Sequence, residues 1–134
     1  MAGGARVGAE VTTVSEPAVV AARAADAKKG EGILVLDVGE VLGIVGTFVI
    51  ASASNARLVR AIVEEVEDRL REDVGIKPRA VEGLSDASWV LLDYGDLVVH
   101  VFLAETREYY GLERLWADVP RVEWEDGAIP VPGG

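Results

Sequence analysis

Two short runs in this chain hold almost no polar side chains, and they limit the possible fold more than any other feature. Ile33-Leu34-Val35-Leu36-Asp37-Val38 and Thr47-Phe48-Val49-Ile50-Ala51-Ser52 are nearly continuous apolar segments of strand length. A strand with one wet face alternates apolar and polar residues, whereas one that reads apolar throughout is covered on both faces. Helices must supply that cover, which points to a layered α/β arrangement. With 134 residues, half of them apolar and 27% charged, the chain is of single-domain size and has the balance of a globular protein.

The helices that could do this are visible. Residues 55–73 place Val59, Ile62, Val63, Val66 and Leu70 on one stripe, with Arg60, Glu64, Glu67, Asp68 and Arg71 largely opposite. Ser52, Ser54 and Asn55 offer capping oxygens at its start, and Gly75 and Pro78 bracket its exit. Pro17 can open an earlier, alanine-rich helix over residues 18–29, ended by Gly30 and Gly32. Thr106 is a candidate cap for a last helix reaching Trp116, with Gly111 a weak point inside it.

Arg79-Ala80-Val81-Glu82 reads as a short strand returning parallel beside the second apolar run, after a helical crossover. A hairpin follows, from Trp89-Val90-Leu91-Leu92 to Leu97-Val98-Val99-His100-Val101-Phe102. A two-residue loop, Tyr94-Gly95, would pair Trp89 with His100. It would gather Trp89, Leu91, Val98, His100 and Phe102 on one face. A three-residue loop, Asp93-Tyr94-Gly95, would set Trp89 opposite Val99, and is favoured because only Gly95 then needs positive φ. The expected fold is α/β, a mixed sheet of about five strands flanked by helices. Residues 1–16 are expected to form a flexible tail, 17–117 the domain, and 118–134 a second tail pinned by Trp124 or Ile129.

Composition excludes several functions. There is no cysteine, so disulfides, thiolate catalysis and cysteine-ligated metal centres are ruled out. No apolar signal segment follows Met1, and the longest uncharged apolar stretch, residues 41–53, is too short to span a bilayer. A cytoplasmic protein that avoids membranes is the expectation. The net charge of −10 would repel phosphate over most of the surface, which argues against direct sequence-specific nucleic-acid binding. Such a field suits a basic protein partner, although acidity also serves solubility, and charge alone does not choose between the two.

No catalytic constellation stands out. The 15 glycines make neither a dinucleotide fingerprint nor a P-loop, and the single histidine, His100, has no partner serine motif. Asp93 and Asp96 flank a turn and could in principle hold magnesium, but no nucleotide cradle accompanies them. Turn aspartates more often bond nearby backbone. His100 is mid-strand, which suits a satisfied, partly buried residue or a partner contact better than a metal ligand. No catalytic residue, metal site or cofactor is expected. Seven of the eight aromatic residues lie at or beyond Trp89, and such residues concentrate binding energy at interfaces. Tyr94, at the turn, is expected to be exposed.

The segment from Trp89 to Phe102 closely resembles the hallmark stretch of the ribosomal silencing factor, or Iojap-like, family. Phe48-Val49-Ile50-Ala51-Ser52, Val81-Glu82-Gly83 and Tyr110-Gly111-Leu112-Glu113-Arg114-Leu115-Trp116 match in the same order, so the likeness spans about residues 18–117. Gly46 departs from it, standing where the family commonly has aspartate. The resemblance implies binding to the fourteenth protein of the large ribosomal subunit, a block on joining of the small subunit, and lowered translation when nutrients fail. It also implies a nucleotidyltransferase-like fold and a homodimer in the free state. The Gly-Ser and Asp-x-Asp active-site pattern of the transferases is absent, so a binding protein is expected. An enzyme using an unrecognised site on the same scaffold is the alternative. Carried over residue by residue, Trp89, Asp93, Tyr94, Asp96 and His100 form the expected partner-binding surface.

Overall fold

The computed structural model describes residues 16–125. Its elements are α1 (Glu16–Ala27), β1 (Glu31–Asp37), α2 (Gly39–Leu42), β2 (Thr47–Ala53) and α3 (Ala56–Arg69), whose last turn widens into a π-helix over Leu70–Val74. Then come β3 (Ala80–Glu82), β4 (Trp89–Asp93), β5 (Leu97–Leu103), α4 (Ala104–Tyr110) and α5 (Leu112–Leu115). The five strands form one mixed sheet in the order β1-β2-β5-β4-β3. Only the central pair, β2 and β5, is parallel; the other three pairings are antiparallel.

Side-chain alternation splits the sheet into two faces. Val49, Ala51, Val90, Leu92, Val99 and Val101 point to the face covered by α1 and α3. The α3 stripe, Val59, Ile62, Val63, Val66 and Leu70, is wholly buried there. Asn55 starts that helix by accepting a 2.9 Å hydrogen bond from the Leu58 amide. On α1, Ala18, Ala21, Ala22, Ala24 and Ala25 are buried, and side chains this small let the helix lie close to its neighbours. The second face carries Leu36, Phe48, Ile50, Val98 and Phe102, against which Trp89, Leu91, Trp116 and Val119 pack.

Several expectations need correction. The short strand β3 does not lie beside β2; it pairs antiparallel with β4 at the sheet edge. The seven-residue β5, buried over six of its positions, takes the central place, and the half-exposed β3 suits an edge. The hairpin adopts neither expected register. Asp93 pairs with Val98, Leu91 with His100 and Trp89 with Phe102. Tyr94 donates to the Leu97 carbonyl at 2.8 Å, leaving Gly95 and Asp96 as the tip. Of those two, only Gly95 needs positive φ, +90°. Because this register differs from the two-residue alternative by two positions, the faces of that alternative survive although its partners do not.

The alanine-rich helix stops at Ala27, and Lys29, not a glycine, takes the left-handed conformation at φ 66°. The last helix is broken in two at Gly111, whose φ of +59° ends α4, and Thr106 does not cap it. Part of the segment expected as a C-terminal tail is docked. The Asp37 amide donates to the Pro120 carbonyl and the Val122 amide to Val35, each at 2.9 Å, so this segment shields the exposed edge of β1. Arg23 Nε donates to the Trp124 carbonyl at 2.8 Å, and Trp124 packs on the helix-side core. Residues 1–15 and Ile129 lie outside the described residues.

Candidate functional site

The second face is only partly covered. The α4–α5 turn, Trp116 and Val119 close one part of it, and a groove of about 700 Å³ opens over the rest. Phe48, Leu91, Val98 and His100 make its floor, and Ile44 and Val45 make a wall from the connection that precedes β2. The rim carries Arg79, Asp93 and Asp96. An apolar recess with a few converging polar groups is the usual character of a binding site.

The polar groups are held by the backbone beneath them. Asp93 accepts a 2.8 Å hydrogen bond from the Gly95 amide, which fixes its carboxylate at the tip. The Asp93 carbonyl accepts from the Arg79 amide at 2.6 Å. The Arg79 guanidinium lies 3.7 Å from the Asp93 carboxylate and is 71% exposed, a loose rim contact. The Asp96 carbonyl accepts from the amides of Gly46 and Thr47 at 2.8 and 3.1 Å, tying the tip to the start of β2.

His100 lies on the groove floor, 5% exposed. Its Nδ1 accepts a 3.1 Å hydrogen bond from Trp89 Nε1, so the neutral ring carries its proton on Nε2. Burial pulls its pKa down to about 4, which keeps the ring neutral at physiological pH. The Nε2 edge is buried and has no hydrogen-bond partner among the described residues. Around it the rings form a band. Phe48 meets His100 edge-on at 4.8 Å and Trp116 at 5.7 Å, while Trp89 contacts Phe102 at 4.8 Å and Tyr110 at 5.0 Å. Ile44, Tyr109 and Leu115, on the flanking segments, are 83%, 80% and 74% exposed, which leaves three large apolar side chains open to solvent.

Over residues 11–132 the sequence matches the family described as ribosomal silencing factor during starvation. The chain belongs to that family. A ribosomal silencing factor of Bacillus subtilis is 41% identical over 108 residues, 81% of this chain and 91% of that protein. A solved structure of a Chromobacterium violaceum protein matches the fold with a TM-score of 0.74 at 34% identity, covering 78% of this chain and 86% of that one. A mouse protein named mitochondrial assembly of ribosomal large subunit protein 1 is 34% identical over 89 residues, 63% of this chain and 38% of its own length.

In this silencing-factor fold the five residues expected at the partner surface do not all meet. Trp89, Asp93 and His100 share the groove face, and Asp96 stands exposed at the tip beside it. Tyr94 does not: it turns to the other face and packs half-buried against the helix-side core. Its hydroxyl is buried without a hydrogen-bond partner, and burial, then the nearby Glu67 charge, pushes its pKa up to about 12. The expectation of an exposed Tyr94 is therefore corrected. The departure from the family at Gly46 also gains a physical meaning. A Cβ there would sit 2.8 Å from Asp96 Oδ1, so an aspartate at 46 would require Asp96 to move. Ile44 and Arg79 were not singled out from the sequence. An apolar pair, Ile44-Val45, between Gly43 and Gly46 was the available signal for the first.

Proposed function

We propose that this chain is a ribosomal silencing factor that acts by binding. It docks the groove face of its sheet on the fourteenth protein of the large ribosomal subunit and sterically blocks joining of the small subunit, repressing translation under nutrient limitation. Family membership supports the ribosomal role, and the name of the mouse relative points to the large subunit. The single observation that carries the docking reading is the uncovered apolar groove at the hallmark hairpin, rimmed by Asp93 and Asp96 in a chain of net charge −10. A ribosomal protein that neutralises phosphate is basic, so its field is complementary to this rim.

The action is stoichiometric and needs no turnover or cofactor. The factor works in the cytoplasm, and among the described residues no helix is long and apolar enough to cross a membrane. In the free state it pairs with a second copy, a reading supported by the family resemblance and by exposed Ile44, Tyr109 and Leu115. Sedimentation of the purified protein with separated subunits tests the docking reading. Selective recovery with large subunits is expected, and equal recovery with both subunits would sink it.

A further inference from the structure

The floor of the groove holds a donor that the fold itself leaves unused. His100 is 95% buried by its 5% exposure, and one ring nitrogen is committed to Trp89 Nε1 at 3.1 Å. The other, Nε2, must then carry the proton, and no oxygen or nitrogen of the described residues accepts it. A buried N–H without an acceptor is costly, and native folds rarely keep one without a use for it. The walls around it, Phe48, Leu91 and Val98, are apolar and offer no competing acceptor. At the rim stand the carboxylates of Asp93 and Asp96, with the Arg79 guanidinium 3.7 Å from Asp93.

We propose that His100 Nε2–H is a buried anchor for the protein partner, which inserts a group with an apolar stem and an uncharged oxygen acceptor at its tip, flanked by a basic side chain that meets Asp93 or Asp96. The inference rests on the docking reading above and adds to it the chemistry of the inserted group. An amide or hydroxyl oxygen fits a single neutral donor in an apolar recess. A carboxylate would enter past two rim carboxylates of which Arg79 offsets only one, and a cation would meet an N–H that donates and cannot accept. The partner's basic residue therefore stays at the rim, where the carboxylates are. In this assignment Trp89 has two tasks: it contributes to the aromatic surface and it holds the His100 ring in the tautomer that donates into the groove.

Two substitutions separate the donor from the Trp89 contact. In His100→Asn the side-chain oxygen can occupy the Nδ1 position and accept from Trp89, but the side chain ends short of Nε2. In His100→Gln the amide nitrogen reaches the Nε2 position and can donate into the groove, with nothing at Nδ1 for Trp89. Affinity for purified large ribosomal subunits is measured for both, corrected for the folded fraction from thermal melts. His100→Asn should bind on the order of ten-fold more weakly or worse, and His100→Gln should stay close to wild type. The reverse pattern would assign His100 to positioning Trp89 alone. Wild-type affinity in His100→Asn would mean that the N–H is content against the Phe48 ring. Either result overturns the anchor. Should His100→Asn not fold, Leu91→Trp, directly across the strand pair from His100, fills the groove above the ring, and undiminished affinity there overturns the proposal equally. Wild-type protein that fails to sediment with large subunits would remove the docking reading itself, whereas wild-type binding with a normal His100→Asn removes only the anchor.

Discussion

At the scale of single residues, the buried imidazole of His100 makes stability depend on pH in a defined direction. Its folded-state pKa of about 4 lies below the ordinary 6.5, so below pH 6.5 the unfolded chain takes up a proton that the native state refuses. Stability from this group is complete above about pH 6.5, declines as pH falls towards 4, and declines no further below that. The full effect is on the order of 3 kcal/mol. Urea melts of wild type and His100→Asn across this window should converge as pH falls, because only the wild type carries the group; a constant gap would contradict the assignment. Tyr94 behaves oppositely. Its phenol is held neutral to about pH 12, so the unfolded chain ionises first and stability falls as pH rises through 10. Its hydroxyl is buried without a partner, so Tyr94→Phe should raise stability by about 1 kcal/mol at neutral pH and flatten the alkaline decline. Lower stability in that variant would show that the hydroxyl is satisfied. Trp89 contacts Phe102, Tyr110 and His100 while remaining half-exposed, so truncation acts on both fold and surface. Trp89→Ala should weaken binding to large subunits by about 2 kcal/mol or more after correction for unfolded protein. A large fall in melting temperature with intact affinity would make it a core residue only.

At the scale of elements, α3 is held by its stripe and by one cap. Replacing Asn55 with alanine removes the acceptor for the Leu58 amide and should cost about 1 kcal/mol in denaturant melts; no measurable loss would mean that water replaces the cap fully. This helix was legible residue by residue, because a period of 3.6 in apolar side chains dictates which face is buried wherever the helix finally packs. The apolar runs of β1 and β2 were legible as strands for the same kind of reason. Lateral order was not. Nothing in the period of Val81 or Val98 says which strand lies beside β2, and the decision falls to length and burial: β5 can fill a central slot and β3 cannot. The hairpin faces followed from alternation, whereas the partners depended on a tip that shifted to Gly95-Asp96, anchored by bonds from Gly46 and Thr47 that are distant in sequence. Trp89, Asp93 and His100 could be grouped from the hairpin alone. The groove could not, since its wall, Ile44, comes from another loop and is set in place only by the tertiary fold.

At the scale of the whole molecule, the sheet is asymmetric: two helices seal one face, and the other keeps an apolar groove beside an acidic tip. With 23 acids against 13 bases, long-range attraction to a basic partner should speed encounter and be screened by salt over about 8–10 Å. Neutralising Asp93 and Asp96 together, as Asp93→Asn with Asp96→Asn, should slow association with large subunits and reduce its salt dependence, with less effect on dissociation. An unchanged association rate at low salt would remove the rim from the account. In the proposed action, occupancy of the large subunit by this factor excludes the small one. Light scattering of purified subunits mixed with increasing factor measures this directly. Joining should fall in proportion to factor bound and approach zero near one factor per large subunit. Joining that proceeds unchanged while the factor is demonstrably bound would contradict the claim.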